Sequence, residues 1–277
     1  WAVRPGIAPL RSRSRTWAER PPQAVAPVQV DDAPAEMQPL VAALNQLLER
    51  IGAMVVAERR FTADAAHELR TPIAAIRTQA QVALAEADVA ARSHALRATL
   101  AGCDRATRLV EQLLTLSRLE AGAAPPMTPI DLAALAQRVV AELAPGAIAR
   151  GQTLGLDVPA GATLVPGNEA LLSALLRNLV DNALRYSPDG AEVRVALARR
   201  DRQVQLLVDD SGPGLAEADL ARLGERFFRV LGSGQSGSGL GWSIVRRIAA
   251  AHGATVAVGR SAALGGLAVT VGWPAGD

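Results

Sequence analysis

The 277-residue chain contains no lysine, so all 29 of its Lys/Arg-type cations are arginines. That absence closes two routes to ATP chemistry. A phosphate-binding P-loop needs a lysine, and so does the strand lysine of eukaryotic-type protein kinases. Cysteine is nearly absent too. Cys103 alone excludes a disulfide framework and fits a reducing compartment. Aromatic residues make up 3% of a chain that is 49% hydrophobic, mostly Ala, Leu and Val, which suits helical bundles better than an aromatic-rich sandwich. No uninterrupted apolar run reaches the roughly eighteen residues that would cross a bilayer. The N-terminus lacks the apolar core of a secretory signal, so the chain as given is expected to be soluble. Its net charge of +2 is small and its arginines are dispersed, which argues against a nucleic-acid surface.

What is present divides the chain in two. Residues 1–35 are irregular, punctuated by Pro5, Pro9, Pro21, Pro22, Pro27 and Pro34, with a short helix expected over 7–20. A long helix is expected from Glu36 toward Ala87, with a seam at Val41, Leu44, Leu48, Ile51, Val55, Ala65, Leu69, Ile73, Ile76, Ala80 and Ala83. Ala65, Leu69 and Ile73 advance by two successive fours, a local stutter beside Pro72. After a turn over 88–93, a second helix over 94–120 carries a seam of Leu96, Leu100, Cys103, Thr107, Val110 and Leu114, which would bury Cys103. The two form a helical hairpin. A single hairpin has too little core to stand alone, so a homodimeric four-helix bundle is expected.

Residues 121–126 read as a linker, and the pattern beyond is mixed. Helices are expected over 131–143, with Asp131 near the N-cap, over 168–186 and over 241–252. Strands are expected over 154–158, 192–199, 203–209, 255–258 and 267–271, with a tight turn at Asp201-Arg202. The expected architecture is an α/β sandwich, helices on one face of a mixed sheet.

Within the long helix lies His67-Glu68-Leu69-Arg70-Thr71-Pro72. His67 is two residues from both Ala65 and Leu69, so it points away from the seam into water. Imidazole is a good nucleophile near neutral pH, and Glu68 beside it can accept a ring proton. A zinc helix would need a second histidine four residues on, where Thr71 stands. An exposed helical histidine is ordinarily just a solvated side chain, so the remainder of the chain must decide its role.

Three signals in the second half carry chemistry. Asn178, Asn182, Arg185 and Tyr186 share one helical face, opposite Leu172, Leu175, Leu176, Leu179 and Ala183. Two carboxamides one turn apart offer oxygens to a hard cation such as Mg²⁺, although a polar helix face looks the same. Asp210-Ser211-Gly212-Pro213-Gly214 follows a strand. A carboxylate there can accept a hydrogen bond from an amino group such as that of adenine, and the glycines allow close backbone approach. As a turn alone this pattern is common. Gly237, Gly239 and Gly241 precede a helix whose first N–H groups favour phosphate, with Phe227-Phe228 upstream as the hinge of a lid. Their spacing does not match the dinucleotide fingerprint, and a flexible glycine loop is the plain alternative.

Taken in order, these residues resemble a bacterial sensor histidine kinase of two-component signalling. The stretch 67–72 matches the H box, 178–182 the N box, 210–214 the first glycine box, Phe227-Phe228 the F box and 237–241 the second glycine box. The resemblance divides the chain into a HAMP-like linker (1–56), a dimerisation and histidine-phosphotransfer hairpin (57–122), a linker (123–130) and a Bergerat-fold ATP-binding domain (131–277). It implies that ATP and Mg²⁺ bind the last domain. Asp210 would read the adenine amino group, with Tyr186 against the ring. Asn182 and Asn178 would hold the metal and Arg185 would meet the phosphates. Gly212, Gly214, Gly237, Gly239, Leu240 and Gly241 would close on the nucleotide with Phe227 and Phe228. His67 would take the phosphoryl group with Glu68 as base. It would pass that group to an aspartate of a response regulator, which Thr71 would help dephosphorylate. The resemblance also implies anchoring through a membrane segment N-terminal to residue 1, at the cytoplasmic side of the bacterial inner membrane. The lid is short, and Trp242 stands where the family has a smaller aliphatic residue. A nucleotide-binding scaffold without activity and an ATPase of the same fold are the rival readings.

Overall fold

The computed structural model describes residues 37–120, 126–161, 163–200, 203–223 and 239–274. The helix expected over 7–20, most of the HAMP-like span, Phe227, Phe228, Gly237 and the Asp201-Arg202 turn lie outside the described residues. The chain separates into two units, Trp1–Arg70 and Thr71–Asp277.

Helix α1, Gln38–Ala85, is continuous over 48 residues and crosses from the first unit into the second. Pro72 lies inside it, so the missing N–H donor is absorbed without ending the helix. Helix α2, Val89–Glu120, begins ahead of the expected start at His94. The Asp88 carboxylate caps it, accepting from Ala91 N at 2.8 Å. Within the second unit the end of α1 packs on α2. A Cβ on Gly102 would come within 2.7 Å of Ile76 Cγ1, so that glycine sets the approach of the two helices.

The seam of α2 differs from expectation. Ala95, Gly102, Leu109 and Leu116 are the buried positions, a seven-residue repeat. Leu96, Leu100, Val110 and Leu114 are exposed in the single chain, and Cys103 is exposed with them. The expected stripe lies on the neighbouring face, which no described residue covers. The reading of membrane potential also changes. Although no apolar run is uninterrupted, α1 and the helix Leu132–Ala149 are each long and apolar enough, by length and composition, to cross a membrane. In the second case the apolar residues serve a protein core, as Leu135, Ala136 and Val139 are buried.

That helix, α3, is capped by Asp131, which accepts from Ala133 N at 3.0 Å, and it runs through Pro145 beyond the expected end. The stretch before it was expected to be linker, yet Thr128–Asp131 forms strand β1, antiparallel to Leu164–Gly167. Asp131 Oδ1 also accepts from Thr163 N at 3.0 Å, tying the two strands to the helix start.

The main sheet contains β2 (Thr153–Asp157), β4 (Glu192–Arg200), β5 (Gln203–Asp210), β6 (Thr255–Arg260) and β7 (Leu267–Pro274), β3 being Leu164–Gly167. Its order is β2-β4-β5-β7-β6, with β2 and β4 parallel and the other pairs antiparallel. Val193, Val195 and Leu197 on β4 and Val204, Leu206 and Val208 on β5 alternate inward. Helix α4, Glu169–Tyr186, buries Leu172, Leu175, Leu176, Leu179 and Ala183 as expected. A short helix α5, Glu217–Arg222, follows β5, and α6, Gly241–Ala251, buries Ile244, Val245 and Ile248.

His252 joins α6 to α4. Its Nε2 accepts from Asn168 N at 3.0 Å and its Nδ1 meets Ile248 O at 2.7 Å. The first contact leaves the ring proton on Nδ1, where it donates to the carbonyl. Asn168 in turn caps α4 by accepting from Leu171 N at 3.1 Å.

Candidate functional site

His67 is exposed on α1, Glu68 beside it is half-buried, and Thr71 one turn on is exposed. No hydrogen bond ties the imidazole to a neighbour among the described residues, which leaves it available to an incoming group.

The second constellation gathers where α4, the end of β5 and the start of α6 meet. A Cβ on Gly241 would lie 3.1 Å from Asn178 Oδ1, 3.3 Å from Asn182 Nδ2 and 3.5 Å from Asn182 Oδ1. Both carboxamides therefore face one point at the head of α6, where a side chain larger than glycine would press on them. Among the described residues Asn182 Nδ2 is buried without a hydrogen-bond partner, a donor that an oxygen acceptor would satisfy. Among the described residues no group of three or more His, Cys, Asp or Glu could hold a metal ion. A divalent cation would thus rely on these amide oxygens and on the phosphates it accompanies, which suits Mg²⁺. The donor set fits.

Asn178 has further engagements. Its Nδ2 donates to Ala174 O at 2.7 Å, and its Oδ1 accepts from Gln112 Nε2 of α2 at 2.9 Å. α2 packs on α6 beside this bond, with Leu116 0% exposed. Arg185, expected at the phosphates, forms an ion pair with Asp181 one turn back. Tyr186 ends α4, partly exposed.

Asp210 closes β5 at 7% exposure. Its Oδ1 accepts from Gly212 N at 2.8 Å and Leu267 N at 3.2 Å. No protein donor is recorded for Oδ2 among the described residues. Burial raises its pKa above the ordinary carboxylate range, the two backbone N–H groups pull it down, and the charge of Asp209 adds to the rise. A small cleft nearby is lined by Pro213, Leu215, Leu220, Arg260, Gly266 and Leu267. Gly214 takes φ +70°, a conformation that favours glycine. At α6, Leu240 is fully buried and supplies no side-chain cap, and the N-terminal end of a helix favours an anion. Gly239 precedes it with φ +68°, and Trp242 is half-buried.

Three features escaped the sequence. Gly265-Gly266 presses on Asp210, a glycine doublet that could have been flagged as a close approach. Gln112 carries no signal of its own. Arg150 and Gln152 clamp the end of α4. Arg150 donates to Leu184 O at 2.6 Å and Ser187 O at 2.9 Å, and Gln152 Nε2 to Leu184 O, Ser187 O and Pro188 O at 2.9, 3.2 and 3.0 Å.

Residues 57–122 match the family model "His Kinase A (phospho-acceptor) domain", and residues 167–277 match "Histidine kinase-, DNA gyrase B-, and HSP90-like ATPase". The chain is similar to BasS of Escherichia coli, with 36% identity over 91% of this chain and 68% of that protein. The chain belongs to the bacterial two-component sensor histidine kinases. It is also 46% identical to QseC of Salmonella typhimurium over 96% of its own length, of which it spans 59%. Among solved structures, ShkA in complex with AMPPNP overlays with a TM-score of 0.57 at 28% identity, covering 78% of this chain and 45% of that one. The α/β unit is thus the ATPase fold that the resemblance implied, with its mixed sheet, and a helical region precedes it. The stretches 67–72 and 178–182 lie on α1 and α4, and 210–214 begins at the end of β5.

Proposed function

We propose that this chain is the kinase portion of a membrane-anchored sensor that phosphorylates itself on His67 with ATP and then charges a response regulator. The observation that carries the proposal is the pairing of two features. One is an exposed His67-Glu68 on α1. The other is a glycine-lined site where Asp210, Asn178 and Asn182 present an acceptor for an amino group and oxygens for a cation. The neighbour solved with AMPPNP supports a nucleotide there.

In this reading a ring nitrogen of His67 attacks the γ-phosphorus of ATP in line. The P–N bond forms as the P–O bond to ADP breaks, and Glu68 accepts the proton from the other ring nitrogen. Asp210 holds the base by its amino group, Tyr186 flanks it, and Asn182 with Asn178 would hold Mg²⁺, which would neutralise phosphate charge. Arg185 must leave Asp181 to reach the phosphates. The phosphoryl group next passes to an aspartate of a receiver domain docked on the hairpin, and Thr71 orients the water of the reverse, phosphatase reaction. The uncovered stripe of Leu96, Leu100, Val110 and Leu114 is the face offered to a second copy, giving a homodimer. The full protein would sit at the inner membrane with these domains on its cytoplasmic side.

The test incubates the chain with γ-labelled ATP and Mg²⁺ beside a His67→Gln variant. Acid-labile label that disappears in the variant is the expected result. Acid-stable label, or label that survives loss of His67, would overturn it. Nucleotide binding without any label would instead identify an inactive scaffold.

A further inference from the structure

The recognition carboxylate is held by a neighbour that the kinase motifs do not include. Residues 261–266 connect β6 to β7, and Ser261, 4% exposed, is the root of that turn. Its hydroxyl donates to Asp209 Oδ2 at 2.9 Å and accepts from Leu264 N at 2.9 Å. Its backbone N–H donates to Gly266 O at 2.8 Å, and its carbonyl accepts from Gly265 N at 3.0 Å. The far end of the same turn grips the site, because Gly266 N donates to Asp210 O at 3.0 Å and Leu267 N to Asp210 Oδ1 at 3.2 Å.

Asp209 is the anchor. It is 2% exposed and also receives Arg194 Nη2 at 3.2 Å and Nε at 3.4 Å. A carboxylate so deeply buried stays put only while its donors do. Consecutive strand residues face opposite sides of the sheet. One carboxylate therefore fastens the turn from behind while the next faces the base.

The fit has no slack. A Cβ on Gly266 would lie 2.6 Å from Gly212 N and closer still to the carbonyl and carboxylate oxygens of Asp210. A small displacement of the turn is therefore transmitted directly to the recognising group. We propose that Ser261, held by Asp209, is a positioning residue for base recognition. It acts through the 261–266 turn to aim the Asp210 carboxylate at the exocyclic amino group of the purine. The proposal rests on the reading of Asp210 as the acceptor for that amino group.

The test measures affinities of the full chain for ATP and for purine riboside triphosphate, which lacks the 6-amino group. Ser261→Ala should weaken ATP about 3- to 10-fold, the scale of one hydrogen bond. Purine riboside triphosphate should be unaffected, so selectivity between the two collapses. Should Ser261→Ala fail to fold, Ser261→Cys, of similar shape but a weak donor, should show the same collapse at reduced size, and Ser261→Thr should retain selectivity. Equal weakening of both nucleotides would mean a merely structural role and overturn the proposal, as would unchanged ATP affinity. An unchanged chain that binds both nucleotides equally would overturn the Asp210 reading and this proposal together. Binding of neither would remove the nucleotide function itself.

Discussion

The side-chain amide of Gln112, on the second helix of the hairpin, donates to the carboxamide oxygen of Asn178 at 2.9 Å. One of the two oxygens suited to a metal is thus already engaged by a residue from another element. An amide oxygen has two lone pairs, so the bond does not bar a cation, but it fixes the oxygen's direction and competes for its charge. Gln112→Leu should release it. The expected outcome is a gain of about 2- to 10-fold in Mg²⁺-dependent nucleotide affinity, the net scale of one such bond. Affinity measured with a chelator present should not change. Titrations of both chains with and without Mg²⁺ check it, and an equal gain in the two conditions would refute the competition.

Asp210→Asn separates binding from stability. Oδ1 already takes two backbone N–H donors, so the variant would turn its NH₂ group toward the base, donor against donor. Nucleotide affinity should fall by about 10- to 100-fold, as for a lost hydrogen bond to a charged group. The unliganded fold should respond in the opposite sense. Because the folded chain holds the Asp210 proton more tightly than the unfolded chain does, stability falls as pH rises from the ordinary carboxylate pKa through the raised one. Asparagine has no such cost. Urea unfolding should find the variant more stable than its parent at neutral pH, with the difference vanishing in acid.

How far the site could be read beforehand follows from range. The face carrying Asn178 and Asn182 was legible because steps of four and three, set against a leucine stripe, are local properties of one helix. Asp131 and Asn168 announced their helix starts for the same reason. β1 and β3 were not legible, since strands of four residues hold too little alternation to stand out. The buried stripe of α2 was displaced by one position because Leu96, Leu100 and Cys103 repeat as plausibly as Ala95, Gly102 and Leu109. Only the close approach to Ile76 decides between them. Gln112 and Asn178 are 66 positions apart, and no periodicity links them. Gly265-Gly266 was visible as a doublet, but its target depends on the register that pairs Asp209 with Ala268.

Gly266→Ala tests that register at atomic scale. The added methyl group would collide with backbone and carboxylate atoms of Asp210 and Gly212, which have no flexible end to yield. Overpacking of this kind typically costs about 1–3 kcal/mol. Relief requires moving Asp210, so nucleotide binding should weaken along with the lowered urea midpoint. A stable variant with unchanged ATP affinity would show that the strand end yields freely.

Arg150 and Gln152 act on the same carbonyls, and this redundancy makes a sharp prediction. Leu184 O and Ser187 O each accept from both side chains, whereas Pro188 O is served by Gln152. Removing either residue alone leaves those two shared carbonyls with one donor. Each single alanine variant should therefore cost about 1 kcal/mol. The double variant strips both carbonyls at the end of α4, so its cost should exceed the sum of the singles by about 0.5–3 kcal/mol, the coupling expected of groups sharing one network. Tyr186 and Ser187 stand on that stretch of chain, so ATP affinity should also drop mainly in the double variant. Urea unfolding and nucleotide titration of the four chains measure both effects. Strict additivity would mean that water replaces the clamp.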